Sequence, residues 1–168
     1  MKVLYIHQYF RKPENGGAIR SYYLAKALAD NGVNVDLVTS HNKDKIKVEN
    51  VDGINVHYLP VKYDNKLGFW SRIWAFYSFM WLSYNYSKKI KDIDLVYASS
   101  TPLTVGITAL LLKKFNKIPY HFEVRDLWPE APIQLGIINN PILKSVLRKL
   151  EKIIYTNAYM AENFDFIM

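Results

Sequence analysis

Apolar residues along the chain form short continuous runs that alternate with stripes at helix spacing. Runs rich in β-branched and aromatic residues, typical of buried strands, occur at 3–6, 33–39, 54–58, 94–98 and 118–124. Helix-spaced apolar residues fill the intervals at 19–28, 67–90 and 103–115, and again from Pro141 onward. Strands that alternate with helices build βαβ units. The pattern therefore predicts an α/β, Rossmann-like fold with a mostly parallel sheet and helices on both faces.

The first predicted strand leads into a polar loop that closes on Gly16 and Gly17 before the first helix. Glycines let the backbone approach a phosphate, and free amides at a helix N-terminus attract anions. Arg20, placed one turn into that helix, adds a positive charge. Gly-Gly is also a common turn, and the spacing matches neither the dinucleotide fingerprint nor the P-loop. The loop is interpreted either as a phosphate site or as a turn alone.

The stretch 121–130, HFEVRDLWPE, combines a predicted buried strand with ionisable residues. Tyr120 and Phe122 alternate with His121 and Glu123, so the charged residues should share one face. Unpaired buried charges are costly, and ligands bind at the carboxyl ends of the strands in open α/β sheets. Two interpretations follow: an internal pairing of Glu, Arg and Asp that fixes the loop, or a ligand site.

Small hydroxyl residues follow the strand predicted at 94–98. Thr101 suits the N-cap position of the next helix, and Pro102 suits its first position. Ser100 and Thr101 can also contact a sugar or a phosphate. Capping alone explains Thr101, so both interpretations stay open.

The segment 67–91 has the most unusual composition. Its helix-spaced aromatic residues are Trp70, Trp74, Tyr77, Trp81 and Tyr84, and the flanking cations are Lys62, Lys66, Lys88, Lys89 and Lys91. Aromatic stripes usually pack inward, which is one interpretation. The other is partial exposure against lipid or a partner domain, because aromatic faces flanked by lysines lie in membrane interfaces. No run approaches the roughly 20 apolar residues of a membrane span.

Composition narrows the function classes. The chain of 168 residues has the length of one domain, contains no cysteine and carries a net charge of +7. A basic excess attracts phosphates, nucleic acid or anionic lipid. No nucleic-acid-binding module is recognisable, and no histidines are paired at metal-ligand spacing. We therefore expect no metal site and no nucleic-acid partner.

Four motifs carry a resemblance to a known family. They are QYF followed by PENGGAIR, LAxxLxxxG in the first helix, ASSTPL, and EVRDLWPE. Together they resemble the N-terminal domain of the family 4 glycosyltransferases with the GT-B fold, in particular the bacterial polysaccharide and O-antigen enzymes. The resemblance covers residues 1–158, and its last motif is the most specific.

The resemblance implies a retaining transfer of a sugar from a nucleotide-sugar to a glycan or lipid-linked acceptor, with no cofactor beyond the donor substrate. It places the donor phosphates near Gly16, Gly17 and Arg20, and assigns catalytic roles to Arg125, Asp126 and Glu130. We place Ser100, Thr101 and Trp128 on the acceptor side. The expected location is cytoplasmic, or peripheral at the inner membrane through residues 67–91.

The expected organisation is an acceptor-side domain at 1–160 and a truncated tail at 161–168, without the C-terminal donor-binding domain. The chain would then be a truncated form, an expressed domain, or half of a split enzyme whose other half is encoded separately. We expect it to be inactive alone and a hexosyltransferase when completed. Two alternatives remain: a non-catalytic module that docks on a membrane or a partner, and an unrelated Rossmann domain that binds small molecules.

Overall fold

The computed structural model describes residues 1–16, 19–64 and 66–163, apart from the side chains of residues 69 and 160–163. The strands are Lys2–Ile6 (β1), Asn34–His41 (β2), Lys47–Val51 (β3), Ile54–Pro60 (β4), Leu95–Ser99 (β5), Tyr120–Val124 (β6) and Met160–Asn163 (β7). The α-helices are Arg20–Asp30 (α1), Phe69–Ser87 (α2), Thr104–Asn116 (α3), Glu130–Gln134 (α4) and Pro141–Asn157 (α5), and a 3-10 turn spans Pro13–Asn15.

The strands form one sheet in the order β3-β4-β2-β1-β5-β6-β7. Every neighbouring pair is parallel except β3 and β4, which confirms the predicted α/β architecture. The segment between β2 and β4, which shows no strand pattern in the sequence, contains the edge strand β3, and β3 forms a hairpin with β4. Its turn is Asp52 and Gly53, both with positive φ. The sequence of β3 lacks the apolar run of a buried strand, because an edge strand has little apolar surface to bury and carries charged residues.

Helices cover both faces of the sheet. Helix α1 packs on one face, over a cluster that includes Tyr5, Val35 and Leu37. Helices α2, α3 and α5 form a layer on the other face, over residues such as Phe122. Within this layer Gly106 allows close packing, because a Cβ there would lie 2.9 Å from a Phe122 ring carbon. The face that carries the ionisable residues of β6 is therefore the one covered by α1.

Helix α2 turns its aromatic stripe outward. Trp70 is 80% exposed, Trp74 is 69% exposed and Trp81 is 54% exposed, whereas Phe79 is fully buried. The interpretation that most of these aromatic residues belong to the core is therefore wrong. Among the described residues, no helix has both the length and the apolar character needed to cross a bilayer.

The last described strand lies inside the predicted tail. Residues 161–163, assigned to the tail from the sequence, form the end of β7, which pairs with β6 in parallel. The remaining tail residues, 164–168, lie outside the described residues.

Candidate functional site

The carboxyl ends of β1 and β5 define a topological switch point. From β1 the chain moves to β2 and β4 on one side, and it later returns to β5, β6 and β7 on the other. Open α/β sheets bind ligands in the crevice at such a point. At this edge Ile6 of β1 pairs with Ala98 of β5, and the next residue of β5, Ser99, pairs with Glu123 of β6. The residues that follow these positions therefore form the candidate site.

A buried carboxylate lies at the centre of this edge. The Glu123 side chain is fully buried, and its Oε2 accepts a hydrogen bond from Ser99 Oγ at 2.5 Å. Its Oε1 lies 2.7 Å from Arg20 Nη2, at the first residue of α1. The ion pair compensates the buried charge at Oε1, where no hydrogen bond forms, and the hydrogen bond from Ser99 satisfies Oε2. The predicted internal pairing of this loop exists, but the cation comes from α1 and not from Arg125.

His7 and Arg125 form the second contact across the switch point. Arg125 Nη1 lies 3.3 Å from His7 Nε2, and His7 Nδ1 lies 2.9 Å from Ser21 Oγ. A guanidinium can only donate, so Nε2 accepts, and Nδ1 carries the proton and donates to Ser21. Burial, and then the charge of Arg125, lowers the pKa of His7 to about 3. His7 is therefore a neutral group that orients Arg125 and not a proton carrier near neutral pH.

The hydroxyl residues after β5 contact the loop after β6. Ser100 Oγ accepts a hydrogen bond from the Arg125 amide at 2.8 Å, and Thr101 Oγ1 donates to Asp126 Oδ2. Helix α3 begins at Thr104 with Leu103 as its N-cap, so the predicted capping role of Thr101 is wrong. The Thr101 hydroxyl instead orients an exposed carboxylate at the mouth of the site.

Of the predicted glycine loop, the structure describes Gly16 but not Gly17. Gly16 has a φ of 59°, in the left-handed region that favours glycine, and its amide donates to the Pro13 carbonyl at 3.1 Å. That amide therefore already has a partner. Gly17 lies outside the described residues. Arg20 is the first residue of α1 and does not lie a full turn inside the helix.

The remaining predicted site residues lie farther along the loop. Glu130 begins α4 and pairs with Arg148 of α5, with Oε1 at 2.7 Å from Nε. This contact holds α5 against the loop, and it lowers the pKa of Glu130. Trp128 is half-buried against the core on the face of the sheet that α2, α3 and α5 cover. The structure thus brings Arg20, Arg125, Ser100, Thr101 and Asp126 to one edge and engages Glu130 with α5 instead.

The site also contains four residues that were not predicted to belong to it: His7, Ser21, Ser99 and Glu123. His7 follows the first strand directly, and Glu123 interrupts the last predicted strand, so the position of each relative to a strand end was the available signal. The sequence gives no comparable signal for Ser21 and Ser99, because a serine within a helix or a strand does not disturb the apolar pattern in a recognisable way.

The two arginines at this edge differ in whether they have a carboxylate partner. Glu123 is paired with Arg20, whereas no carboxylate among the described residues lies within ion-pair distance of Arg125. A guanidinium held by a neutral imidazole suits a phosphate, which it can bind through two parallel hydrogen bonds. The exposed Asp126 carboxylate, oriented by Thr101, suits a hydroxyl group. Together these groups can bind a phosphorylated, hydroxyl-bearing ligand.

Comparisons with known proteins identify a family and solved structures of similar fold. The family model described as "Glycosyl transferase 4-like domain" matches residues 15–166. The chain is also similar in structure to a sucrose-phosphate synthase from Thermosynechococcus elongatus, with a TM-score of 0.63 and 15% sequence identity. That alignment covers 95% of this chain and 41% of the other, so the chain spans less than half of that protein. No curated protein sequence matches significantly.

Proposed function

Because the chain belongs to the glycosyl transferase 4-like domain family, we propose that it is the acceptor-binding half of a retaining glycosyltransferase. In this proposal the enzyme is of hexosyltransferase type and moves a sugar from a nucleotide-sugar to a lipid-linked glycan acceptor. The reaction belongs to surface polysaccharide synthesis. In this proposal the 168 residues alone are inactive, and a second domain supplies most of the donor pocket.

One observation carries the proposal: Arg125 is a fixed cation at the switch point and has no carboxylate partner among the described residues. When the bond between the sugar and the nucleoside diphosphate breaks, negative charge develops on the leaving diphosphate. A positioned guanidinium stabilises that charge without reorganisation, because His7 holds the guanidinium and Ser100 holds the backbone amide of Arg125. Arg125 therefore takes the role of the phosphate-binding cation.

Asp126 takes the acceptor role in this proposal. The new glycosidic bond forms to an acceptor hydroxyl, whose proton must leave as the bond forms. Asp126 accepts a hydrogen bond from Thr101 and keeps its carboxylate exposed at the same edge, which suits orientation of that hydroxyl. Ser100 and Thr101 contact the acceptor in this proposal, and Trp128, which packs against the core, acts on the acceptor side through the loop that it anchors. Arg20 supports the glycine loop from its ion pair with Glu123, and Glu130 acts through its contact with Arg148.

A binding experiment on the chain tests the role of Arg125. Calorimetry with uridine, guanosine and adenosine diphosphates should detect weak binding, because Arg125 would bind the phosphates while the proposed second domain supplies most of the donor pocket. Arg125→Gln should weaken that binding about tenfold or more, since charge-assisted hydrogen bonds contribute about 1.5–3 kcal/mol. Arg72→Gln, which removes the same charge from α2, is the control and should change little. Equal losses in both variants would contradict the proposal.

The expected inactivity has a separate test. The chain should release no nucleoside diphosphate from any nucleotide-sugar, with or without a glycan acceptor. Turnover by the chain alone would refute the idea that a second domain is required. Restored turnover upon addition of a separately expressed donor domain would support it, and Asp126→Asn should then lower kcat more than it raises KM.

A second candidate function rests on α2. The exposed Trp70, Trp74 and Trp81 favour a module that docks peripherally on the inner membrane or on a partner protein through residues 67–91. Co-sedimentation with vesicles tests it. Binding that is lost upon Trp70→Ser, Trp74→Ser and Lys88→Gln substitution, in a chain that ignores nucleotides, would favour docking as the principal function. The two functions are compatible, because the switch point lies at the sheet edge and the aromatic stripe on the outer surface of the helical layer.

A further inference from the structure

A groove between α3 and α5 lies near the amino end of β6, whereas the candidate site lies at the carboxyl ends of the strands. It has a volume of about 580 Å³ and is lined by Leu110, Lys113, Lys114, Lys117, Pro119, Ile153 and Asn157. Pro119 directly precedes β6, whereas Arg125 directly follows it. At about 3.3 Å per residue the groove lies roughly 20 Å from Arg125. It is therefore separate from the proposed transferase site.

The charge in this groove has one sign. Lys113, Lys114 and Lys117 contribute three ammonium groups, and no lining residue is acidic. No carboxylate among the described residues lies within ion-pair distance of any of them. Lysines near a helix C-terminus commonly offset the helix dipole, whose end carries only about half an elementary charge. Three lysines exceed that need, so a net positive charge remains in the groove.

The groove is also partly organised. Lys113 Nζ donates to the Asn157 carbonyl at 2.5 Å, which fixes its ammonium between the two helices, and it lies 6.0 Å from the centre of the Tyr120 ring. Leu110, Pro119 and Ile153 provide an apolar floor. Near such a floor the effective dielectric constant is lower than in water, and the attraction of an anion to the lysines is correspondingly stronger.

We propose that this groove binds a phosphate group, carried either by a small phosphorylated compound or by the headgroup of an anionic lipid. A phosphate matches the chemistry of the groove because its several oxygens accept hydrogen bonds from separate ammonium groups at once. An apolar moiety attached to the phosphate would lie on Leu110 and Ile153. Binding here leaves the carboxyl edge of the sheet open, so both sites can be occupied together.

The test uses the 168-residue chain and two charge-matched double variants. Lys114→Gln with Lys117→Asn removes two groove ammoniums, and asparagine tolerates the left-handed backbone at position 117, where φ is 62°. The control is Lys43→Gln with Lys45→Gln, in the exposed connection between β2 and β3. Circular dichroism checks that all three proteins are folded. The ligands are inorganic phosphate, followed by NMR, and vesicles of phosphatidylglycerol with phosphatidylcholine, followed by sedimentation.

Inorganic phosphate that shifts the amide signals of residues 113–117 and 153–157, with at least a tenfold loss of affinity in the groove variant alone, supports a site for small phosphates. Vesicle binding that falls about 25-fold in the groove variant alone supports a lipid headgroup, since each lysine near an anionic surface contributes about fivefold. If neither ligand binds at the groove, or if both variants lose affinity equally, the proposal is overturned.

Discussion

Arg20 Nη2 lies 2.7 Å from Glu123 Oε1, although the Arg20 side chain is 49% exposed and that of Glu123 only 1%. The pair joins the first residue of α1 to the carboxyl end of β6, two elements far apart in the sequence. It therefore fixes the helix after the glycine loop relative to the loop that carries Arg125. Water can solvate the Arg20 guanidinium but not the Glu123 carboxylate, so removing one partner should cost more than removing the other.

Removing Arg20 should destabilise the protein more than neutralising Glu123. Arg20→Leu leaves a buried carboxylate without its cation and should lower the free energy of unfolding by about 3 kcal/mol. Glu123→Gln keeps an acceptor for Ser99 and leaves an arginine that water can solvate, so it should cost about 1 kcal/mol. Urea unfolding measures both. The double variant should cost less than the sum, and strictly additive losses would contradict a coupled pair.

The His7 imidazole should make the protein sensitive to mild acid. Its pKa in the folded state is about 3, below its usual value of 6.5, because burial and Arg125 disfavour the charged form. Between these pH values the unfolded chain binds a proton that the folded chain does not. The free energy of unfolding should therefore fall with decreasing pH by up to about 1.4 kcal/mol per pH unit from this group.

Unfolding measured from pH 7 to pH 4 tests this dependence. His7→Gln, whose amide oxygen can still accept from Arg125, should flatten the profile. Parallel profiles for the wild type and His7→Gln would mean that His7 binds protons equally in the folded and the unfolded state, which would contradict its lowered pKa.

Replacing Gly106 by alanine should destabilise the protein although alanine favours helices. The new Cβ would lie 2.7 Å from Ile154 Cγ2 and 2.9 Å from Phe122 Cε2. Overpacking of this kind costs about 1–3 kcal/mol, which outweighs the gain in helix propensity of about 1 kcal/mol. Gly68→Ala is the control, because a Cβ there meets nothing within 4 Å. Equal melting temperatures for the two variants would show that α3 can shift away from β6.

Substitutions on the two faces of α2 should have opposite outcomes. Phe79→Ala opens a cavity in the core and should lower the free energy of unfolding by about 3–5 kcal/mol. Trp74→Gln changes an exposed residue and should stay within about 0.5 kcal/mol of the wild type. Thermal unfolding of both variants measures the difference. A large loss in Trp74→Gln would indicate that the aromatic stripe packs against the protein in solution.

Periodicity was sufficient to predict the buried elements of the fold. Strands β1, β2, β4, β5 and β6 appear in the sequence as apolar runs because both faces of a parallel sheet are covered. β3 was not predicted, since an edge strand with Lys47 and Glu49 resembles a loop. The aromatic residues of α2 were harder to assign, because spacing indicates a common helical face and not whether that face points inward.

Sequence reasoning located the site edge but not its internal contacts. The EVRDLWPE motif marked Arg125 and Asp126, and both lie at the switch point beside residues from β1 and β5. The pairing of Glu123 with Arg20 depends on the distance between α1 and β6, which only the assembled sheet sets. The same holds for Glu130, whose partner Arg148 comes from a helix with no recognisable motif.

The hairpin at the outer edge of the sheet affects how copies of the chain meet. Glu49 of β3 accepts from Tyr58 and pairs with Lys12 at 3.0 Å as well as with Lys47. A strand from another molecule that docked alongside β3 would have to strip water from these charges, and that desolvation opposes sheet extension. The charged hairpin therefore opposes self-assembly through this side of the sheet.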